Sequence, residues 1–503
     1  MIILDGENLS MEDVIKVARF GESVEIDEKA MEKVKKARNA IEKLLEEEKP
    51  IYGVNTGFGE LAKVRIEKSE IKKLQYNLIR SHACGVGEAL PEEITRAMML
   101  LRLNSLLKGY SGVKQEVVEK LKDALNKKFY PFVPSQGSVG ASGDLVPLAH
   151  VALSLIGEGE AFYEGKLIPA REALEKIGMT PLELDAKEGI ALINGTQYMA
   201  GVATLALYDS FNLLKNAMIA GVMSLEALKG TNKAFHEGVG KARPYEGLIK
   251  IADILTKLTE GSKIIEKYGG QRVQDAYTLR CMPQVFGAML DSLKFIEKIL
   301  SIEINSATDN PLVFDENIIS CGNFHGEPLA ISIDLLNIVL TKMASFSERR
   351  IARLIDEKLS MLPPFLSRKP GINSGAMILQ YVAASLTSEN KSLAYPASVD
   401  SIPTSANQED YQSMGSIGAR KALQILRNSE KVIAIEFITA SQALEFIDER
   451  PSPAIHKAYE AIRKNVEELH EDRPMYGEIE KVAKLIHDGS ILKEVEKIVK
   501  IDI

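Results

Sequence analysis

Residues 328–356 read PLAISIDLLNIVLTKMASFSERRIARLID. The stretch opens on a proline, carries acidic Asp334 early and places Arg349, Arg350 and Arg353 late, which is the charge order a helix dipole favours. It predicts one helix running to about Asp356. A second run of the same kind covers 416–446, filled with Ala, Leu, Ile, Lys and Glu. Both exceed the average globular helix of about 11–12 residues, so a bundle of long helices packed side by side is expected. Working outward, Asp27 reads as an N-cap, with Met31, Val34, Ile41, Leu44 and Leu45 on the following helix until Pro50 stops it. Pro91 opens another helix, with Ile94, Met98, Leu101 and Leu106 on one stripe and Gly109 closing it. Period-2 alternation is scarce. Small hairpins are expected at Ile2-Ile3-Leu4 and at Ala161-Phe162-Tyr163 with Lys166-Leu167-Ile168. The fold class is therefore mainly α.

The chain has 503 residues, 62 Lys+Arg and 70 Asp+Glu, for a net charge of −8. That length buries a large core without disulfide or metal staples. A mildly acidic balance argues against a nucleic-acid binder, because neutralising phosphates needs a basic surface. The three cysteines, Cys84, Cys281 and Cys321, are odd in number and lack CxxC spacing, which excludes a disulfide framework and suits a reducing cytoplasmic compartment. The start, MIILDGENLSMEDV, meets Asp5 and Glu7 early and has no basic region, unlike a signal peptide. The uncharged stretch 189–208 contains Asn194, Gly195, Thr196 and Gln197, so it reads as buried protein and not as a membrane span. His456 and His470 lie among Lys and Glu and read as solvated, as do the Lys33-Lys35-Lys36 and Glu46-Glu47-Glu48 runs. No HxxxH or HxxE pair with ligand spacing appears, and no catalytic metal is expected.

Chemistry concentrates in polar, glycine-rich islands between helices. The densest is GSVGASGDLVPLAH, residues 137–150. Three readings fit it. It can cap a helix, or it can cradle a phosphate, although the Lys-Ser/Thr ending of a phosphate loop is missing. In the third, a tight bend lets the Gly143 amide nitrogen attack the Ala141 carbonyl carbon. Loss of water from that adduct and from the Ser142 side chain then gives a 4-methylidene-imidazol-5-one (MIO) ring. Spacing alone favours the cap.

The island nevertheless resembles the prosthetic-group motif of the MIO-dependent aromatic amino-acid ammonia-lyases. Further segments match that family in the same order: YGVNTGFG (52–59), SHACGVG (81–87), INGTQ (193–197), QDAYTLRCMPQV (274–285), SATDNPL (306–312), GNFHGEP (322–328), NQEDYQSMG (407–415) and EDRPMYGEI (471–479). The resemblance spans nearly the whole chain. It implies an all-α long-helix bundle of the ammonia-lyase and fumarase-aspartase type, with a few short strands near the amino terminus. The parts expected are a segment 1–200 carrying the MIO loop, a central bundle 201–450 and a helical segment 451–503, joined in one continuous body.

The same resemblance implies roles. Ala141, Ser142 and Gly143 form the MIO, with no external cofactor. Tyr52 is the candidate base for the β-proton, and a phenol with an ordinary pKa near 10 must be shifted down to serve. Asn194 donates to the MIO carbonyl oxygen. Tyr277 shapes the MIO pocket, and Gln274 supports substrate or ring. Asn194 and Gln274 both read as buried amides. Arg280 pairs the substrate carboxylate, with Gln274, Tyr277 and Arg280 on one helical face or adjacent turns. Phe324 packs over the ring or the substrate.

Substrate choice turns on two places. Ser81-His82 resembles the histidine-acting members, in which His82 meets the imidazole, and Glu409 resembles the carboxylate that grips it. The implied reaction is elimination of ammonia from L-histidine to give trans-urocanate. One departure is Tyr411-Gln412, where histidine-acting members often carry His-Val; it keeps open a phenylalanine or tyrosine ammonia-lyase, or an aminomutase. A catalytically silent helical binding protein is the reading from a different class. The partners implied are a small amino acid and further copies of the chain in a homotetramer with shared active sites. Neither nucleic acid nor membrane is implied.

Overall fold

The computed structural model describes residues 1–46, 51–315 and 317–503. The stop expected at Pro50, and Glu47 and Glu48 of the acidic run, lie outside them. The fold is mainly helical, with short strands of two to four residues. The chain divides into two compact units. The first comprises Met1–Leu205, Glu297–Asp334 and Pro396–Arg420, and the second Ala206–Ile296, Leu335–Tyr395 and Lys421–Ile503. The long helices Gln197–Ala227, Met282–Glu303, Glu327–Ile355 and Gly415–Leu444 contribute residues to both.

The helix signals translate closely. The helix expected from Pro328 is Glu327–Ile355, and that expected from Ser416 is Gly415–Leu444. Helix Glu327–Ile355 is long and apolar enough to cross a membrane by length and composition, yet 67% of its most apolar window is buried within the protein. Asp27 caps helix Glu28–Glu46, its Oδ1 accepting from the N–H groups of Lys29 (2.9 Å) and Ala30 (3.1 Å). That helix turns Val34, Ala37 and Ile41 inward, and Ala37 and Ile41 pack with Val54, Ile71, Ala186 and Val313. Pro91 precedes helix Glu92–Leu107, and Gly109 follows it at φ +78°.

In that helix the expected single stripe is replaced by burial of every residue from Ile94 to Leu107. A helix enclosed on all sides has no wet face for periodicity to reveal. Polar side chains on it find partners inside: the Arg96 guanidinium donates to the Val17 carbonyl from Nε (2.9 Å) and Nη2 (2.8 Å). Residues 189–207 are likewise buried, in helix Glu188–Ile193 and the first turns of Gln197–Ala227.

The strands depart from expectation in one place. Ile2–Leu4 is no hairpin; it pairs in parallel with Val24–Ile26, because helix Met11–Phe20 intervenes and returns the chain in the same direction. The other hairpin forms, Glu160–Tyr163 against Lys166–Pro169, and Tyr130–Pro131 joins it as a third strand. Two further pairs, Val86–Ala89 with Pro134–Gln136 and Leu312–Phe314 with Asn317–Ile319, flank the polar islands of the first unit.

Candidate active site

In the first unit, the loop bearing Ala141, Ser142 and Gly143 runs into helix Leu145–Leu155. Gly143 adopts φ +70°, and a Cβ built there would overlap the carbonyl oxygen of Gly195. Only glycine fits a backbone that left-handed and that crowded. The two glycines form an isolated parallel bridge, and the Asp144 N–H donates to the Gly195 carbonyl at 2.6 Å. Asp144 is wholly buried. Its Oδ2 accepts from the Met199 N–H (2.9 Å) and its Oδ1 from the Ser416 hydroxyl (2.7 Å), while burial pushes its carboxyl up to about 7. A second strap comes from residues 413–416: the Ser413 hydroxyl donates to the Gly140 carbonyl (3.3 Å) and the Met414 N–H to the Val139 carbonyl (3.0 Å). The triad is thus clamped from two sides, with Ala141 and Ser142 half-buried.

Asn194 is buried beside this loop. Its Nδ2 donates to the Asn310 carbonyl at 3.3 Å, and its Oδ1 has no hydrogen-bond partner among the described residues. A buried amide left part-satisfied, next to a backbone that admits only glycine, is the environment a ring built from residues 141–143 requires. The residues present fit the group.

Tyr52, His82 and Glu409 form a neighbouring cluster in the same unit. The Tyr52 hydroxyl oxygen accepts the Gly59 N–H at 3.2 Å, closing the TGFG loop over the ring. The downward shift expected of its pKa is not found. Burial raises it, the Glu409 charge raises it further, and the Gly59 N–H opposes them without prevailing. His82 Nδ1 lies 2.8 Å from the Leu78 carbonyl, so Nδ1 carries the proton and Nε2 is an acceptor. Burial lowers its pKa against the Leu78 contact and the Glu409 charge, and the ring is held neutral. Glu409 is fixed by its own turn, Oε2 accepting from the Thr404 hydroxyl at 2.9 Å. Gln412 Nε2 braces that turn, donating to the Glu409 carbonyl (2.7 Å) and to Thr404 Oγ1 (3.1 Å). Ser405, Ala406 and Asn407 pass through it at positive φ, and the Ser405 hydroxyl accepts the Glu60 N–H at 3.2 Å. Segment 404–416 therefore links the Tyr52 loop to the triad.

Gln274, Tyr277 and Arg280 belong to the second unit. Tyr277–Arg280 is a single helical turn, and the Arg280 guanidinium stacks 4.6 Å from the Tyr277 ring centre while its Nε donates to the Asp275 carbonyl (3.0 Å). Gln274 precedes the turn and is exposed, so the expected buried amide and the shared helical face fail for it. It lies in the extended lead-in to the helix, where no 3.6-residue period operates. Phe324 is half-buried in the first unit. Tyr411 is exposed and stacks on His325, with ring centres 5.9 Å apart. His456 and His470 are exposed and pair with Glu460 and Glu468. Among the described residues no group of three or more His, Cys, Asp or Glu is placed to hold a metal.

Several residues of this site are not singled out from the sequence. Asp144 and Gly195 adjoin named residues, so only their contacts reveal them. Ser413 lies inside the 407–415 island without being named, and Ser416 reads only as the start of the following helix. Arg102 had a signal that was legible: a lone polar residue within the otherwise apolar run 97–103.

The sequence pattern of the family described as "Aromatic amino acid lyase" matches residues 9–464. A histidine ammonia-lyase of Alkaliphilus oremlandii is 50% identical over 503 residues, covering 99% of each chain. Among solved structures, a tyrosine aminomutase from Streptomyces globisporus superposes with a TM-score of 0.94 at 38% identity, covering 100% of this chain and 99% of that one. A histidine ammonia-lyase from Trypanosoma cruzi superposes with a TM-score of 0.92 at 39% identity, covering 99% and 96%. With that match running from before the first helix to beyond Glu409, and with the triad, Tyr52 and Asn194 set in the loops described, this chain belongs to the aromatic amino acid lyase family.

Proposed function

We propose that the chain eliminates ammonia from L-histidine to give trans-urocanate, using an MIO ring made from Ala141, Ser142 and Gly143. The observation that carries the reading is the Gly143–Gly195 contact, which admits no side chain and holds the triad beside a part-satisfied Asn194. The histidine ammonia-lyases at about 50% identity support the substrate. The ring supplies an electrophile toward the substrate amine. The chain's own residues do the rest. Tyr52, as phenolate, takes the β-proton while the Cα–N bond breaks with its electron pair on nitrogen and the Cα–Cβ double bond forms. With the substrate ring as imidazolium, His82 Nε2 accepts one N–H and the Glu409 carboxylate accepts the other. Arg280 takes the α-carboxylate with its planar fork. The Asn194 amide donates toward developing charge at the triad. Gln274, Tyr277 and Phe324 line the substrate and ring. The working form is a homotetramer in the cytoplasm, with active sites shared between copies.

Intact mass and ultraviolet absorbance test this together. The mature chain is expected to be lighter by two waters and to turn histidine into urocanate. Ser142→Ala should fold yet lose nearly all activity. An unmodified mass, or turnover of phenylalanine or tyrosine in place of histidine, would contradict the reading.

A further inference from the structure

A buried arginine usually faces a carboxylate, as Arg350 faces Glu436. Arg102 does not follow that rule. It is wholly enclosed in helix Glu92–Leu107, and its guanidinium contacts neutral oxygens: the Ala191 carbonyl (3.1 Å), the Asn194 carbonyl (2.8 Å) and the Gln197 side-chain oxygen. Nε has no partner. Burial brings its pKa down to about 10, against the charges of Asp309 and Asp144. A cation kept in the core at that cost has a structural object, and its contacts identify it.

Ala191 and Asn194 lie at the carboxy-terminal end of helix Glu188–Ile193, where carbonyls lack helical partners and the dipole is negative. Arg102 caps that end. In doing so it fixes the turn that carries Asn194 and Gly195. Gly195 stands at φ +150°, and a Cβ there would overlap Arg102 Nη2, so the guanidinium is pressed onto the Gly195 backbone. The opposite side of Gly195 meets Gly143 and the Asp144 N–H. Gln197 secures the arrangement by donating from Nε2 to Thr308 Oγ1 at 2.8 Å.

We infer that Arg102 is a positioning residue for residues 141–143: its fork sets the Asn194–Gly195 turn against Gly143, so that ring closure and the aim of the Asn194 amide depend on it. This rests on the ring reading above and extends it to a residue outside the reacting set. Lysine keeps the charge and cannot span three acceptors, because its ammonium is a point and not a fork.

The test compares the full-length wild type with Arg102→Lys, Arg102→Met and Gln197→Met by intact mass, thermal unfolding, and kcat and KM on L-histidine. Arg102→Lys should give folded protein that mixes ring-bearing and linear chains. Per ring-bearing chain, kcat should fall about 10- to 100-fold with KM within about twofold, as for other lost orienting contacts. Arg102→Met should show a larger linear fraction. A general loss of stability would lower the melting temperature without changing the ring fraction or kcat per folded ring-bearing chain. Complete ring formation with unchanged kcat in folded Arg102→Lys overturns the inference. Should neither Arg102 variant fold, Gln197→Met decides: a several-fold lower kcat at unchanged KM supports the inference, and an unchanged kcat overturns it. An unmodified wild-type mass would overturn the ring reading itself, and is told apart because it appears before any substitution is made.

Discussion

A phenol works as a base only in its deprotonated form, and both burial and the Glu409 carboxylate hold Tyr52 in its protonated one. The sign of the pH dependence follows. The folded pKa of Tyr52 is raised, so the active fraction grows as pH rises and kcat/KM should climb on the alkaline side. Removing the Glu409 charge takes away one raising influence, so Glu409→Gln should move that limb to lower pH even as it weakens histidine binding. His82 responds in the same sense, with a different consequence for its charge. Its pKa is lowered by burial and raised by Glu409, so loss of the carboxylate keeps its ring neutral further into acid. A pH–rate profile of the Glu409→Gln variant whose alkaline limb stays in place would show that Glu409 does not act on Tyr52. Tyr52→Phe should lower kcat by about 10²- to 10⁴-fold, the usual contribution of a positioned base, without hindering ring formation. At this scale the sequence names candidate groups but not the direction in which their pKa values shift. Tyr52 is legible as a candidate because it begins a glycine-rich island, whereas the upward shift comes first from burial in the fold and then from Glu409, 357 positions away in the chain.

Helices Glu327–Ile355 and Gly415–Leu444 are joined by a buried ion pair in the second unit. The Arg350 guanidinium forks onto Glu436, with Nη2 to Oε2 at 2.8 Å, and Glu436 also accepts from the hydroxyls of Ser224 (2.7 Å) and Ser347 (2.5 Å). Neither charged side chain is exposed at all. Removing one partner strands the other, so Arg350→Met should cost about 3–5 kcal/mol in urea unfolding. Combined Arg350→Met and Glu436→Leu should cost clearly less than the two single changes added, and additive losses would show the pair to be uncoupled. The helices that carry this pair were legible because punctuation and charge order marked their ends: Pro328, the late arginines and, elsewhere, the Asp27 cap. Helix Glu92–Leu107 was legible in extent but not in its surroundings, since a helix buried on every side has no wet face for its periodicity to mark. The Ile2–Leu4 strand misled for a related reason. Three residues carry too little pattern to announce a partner that lies beyond an entire helix.

At the scale of the molecule, the placement of Gln274, Tyr277 and Arg280 carries the most consequence. Tyr277 is 71% exposed and the adjacent Val273 fully so, while Gln274 is exposed beside them. Groups that bind a substrate carboxylate and shape a water-excluding pocket do not work from open surface. On the proposed reading a second copy of the chain would cover this loop, because closed symmetric assemblies bury the same patch on every copy. Each active site would then take Tyr52 from one chain and Arg280 from another. Complementation tests this directly. Tyr52→Phe and Arg280→Met should each be nearly inactive alone. Co-expressed in equal amounts, random mixing leaves about a quarter of the two-chain sites with both native residues, so activity should recover toward that fraction of wild type. Size-exclusion chromatography of the wild type should give a tetramer. If the mixture stays as inactive as its parents while forming mixed oligomers, Tyr52 and Arg280 act from the same chain and the shared-site assembly is wrong.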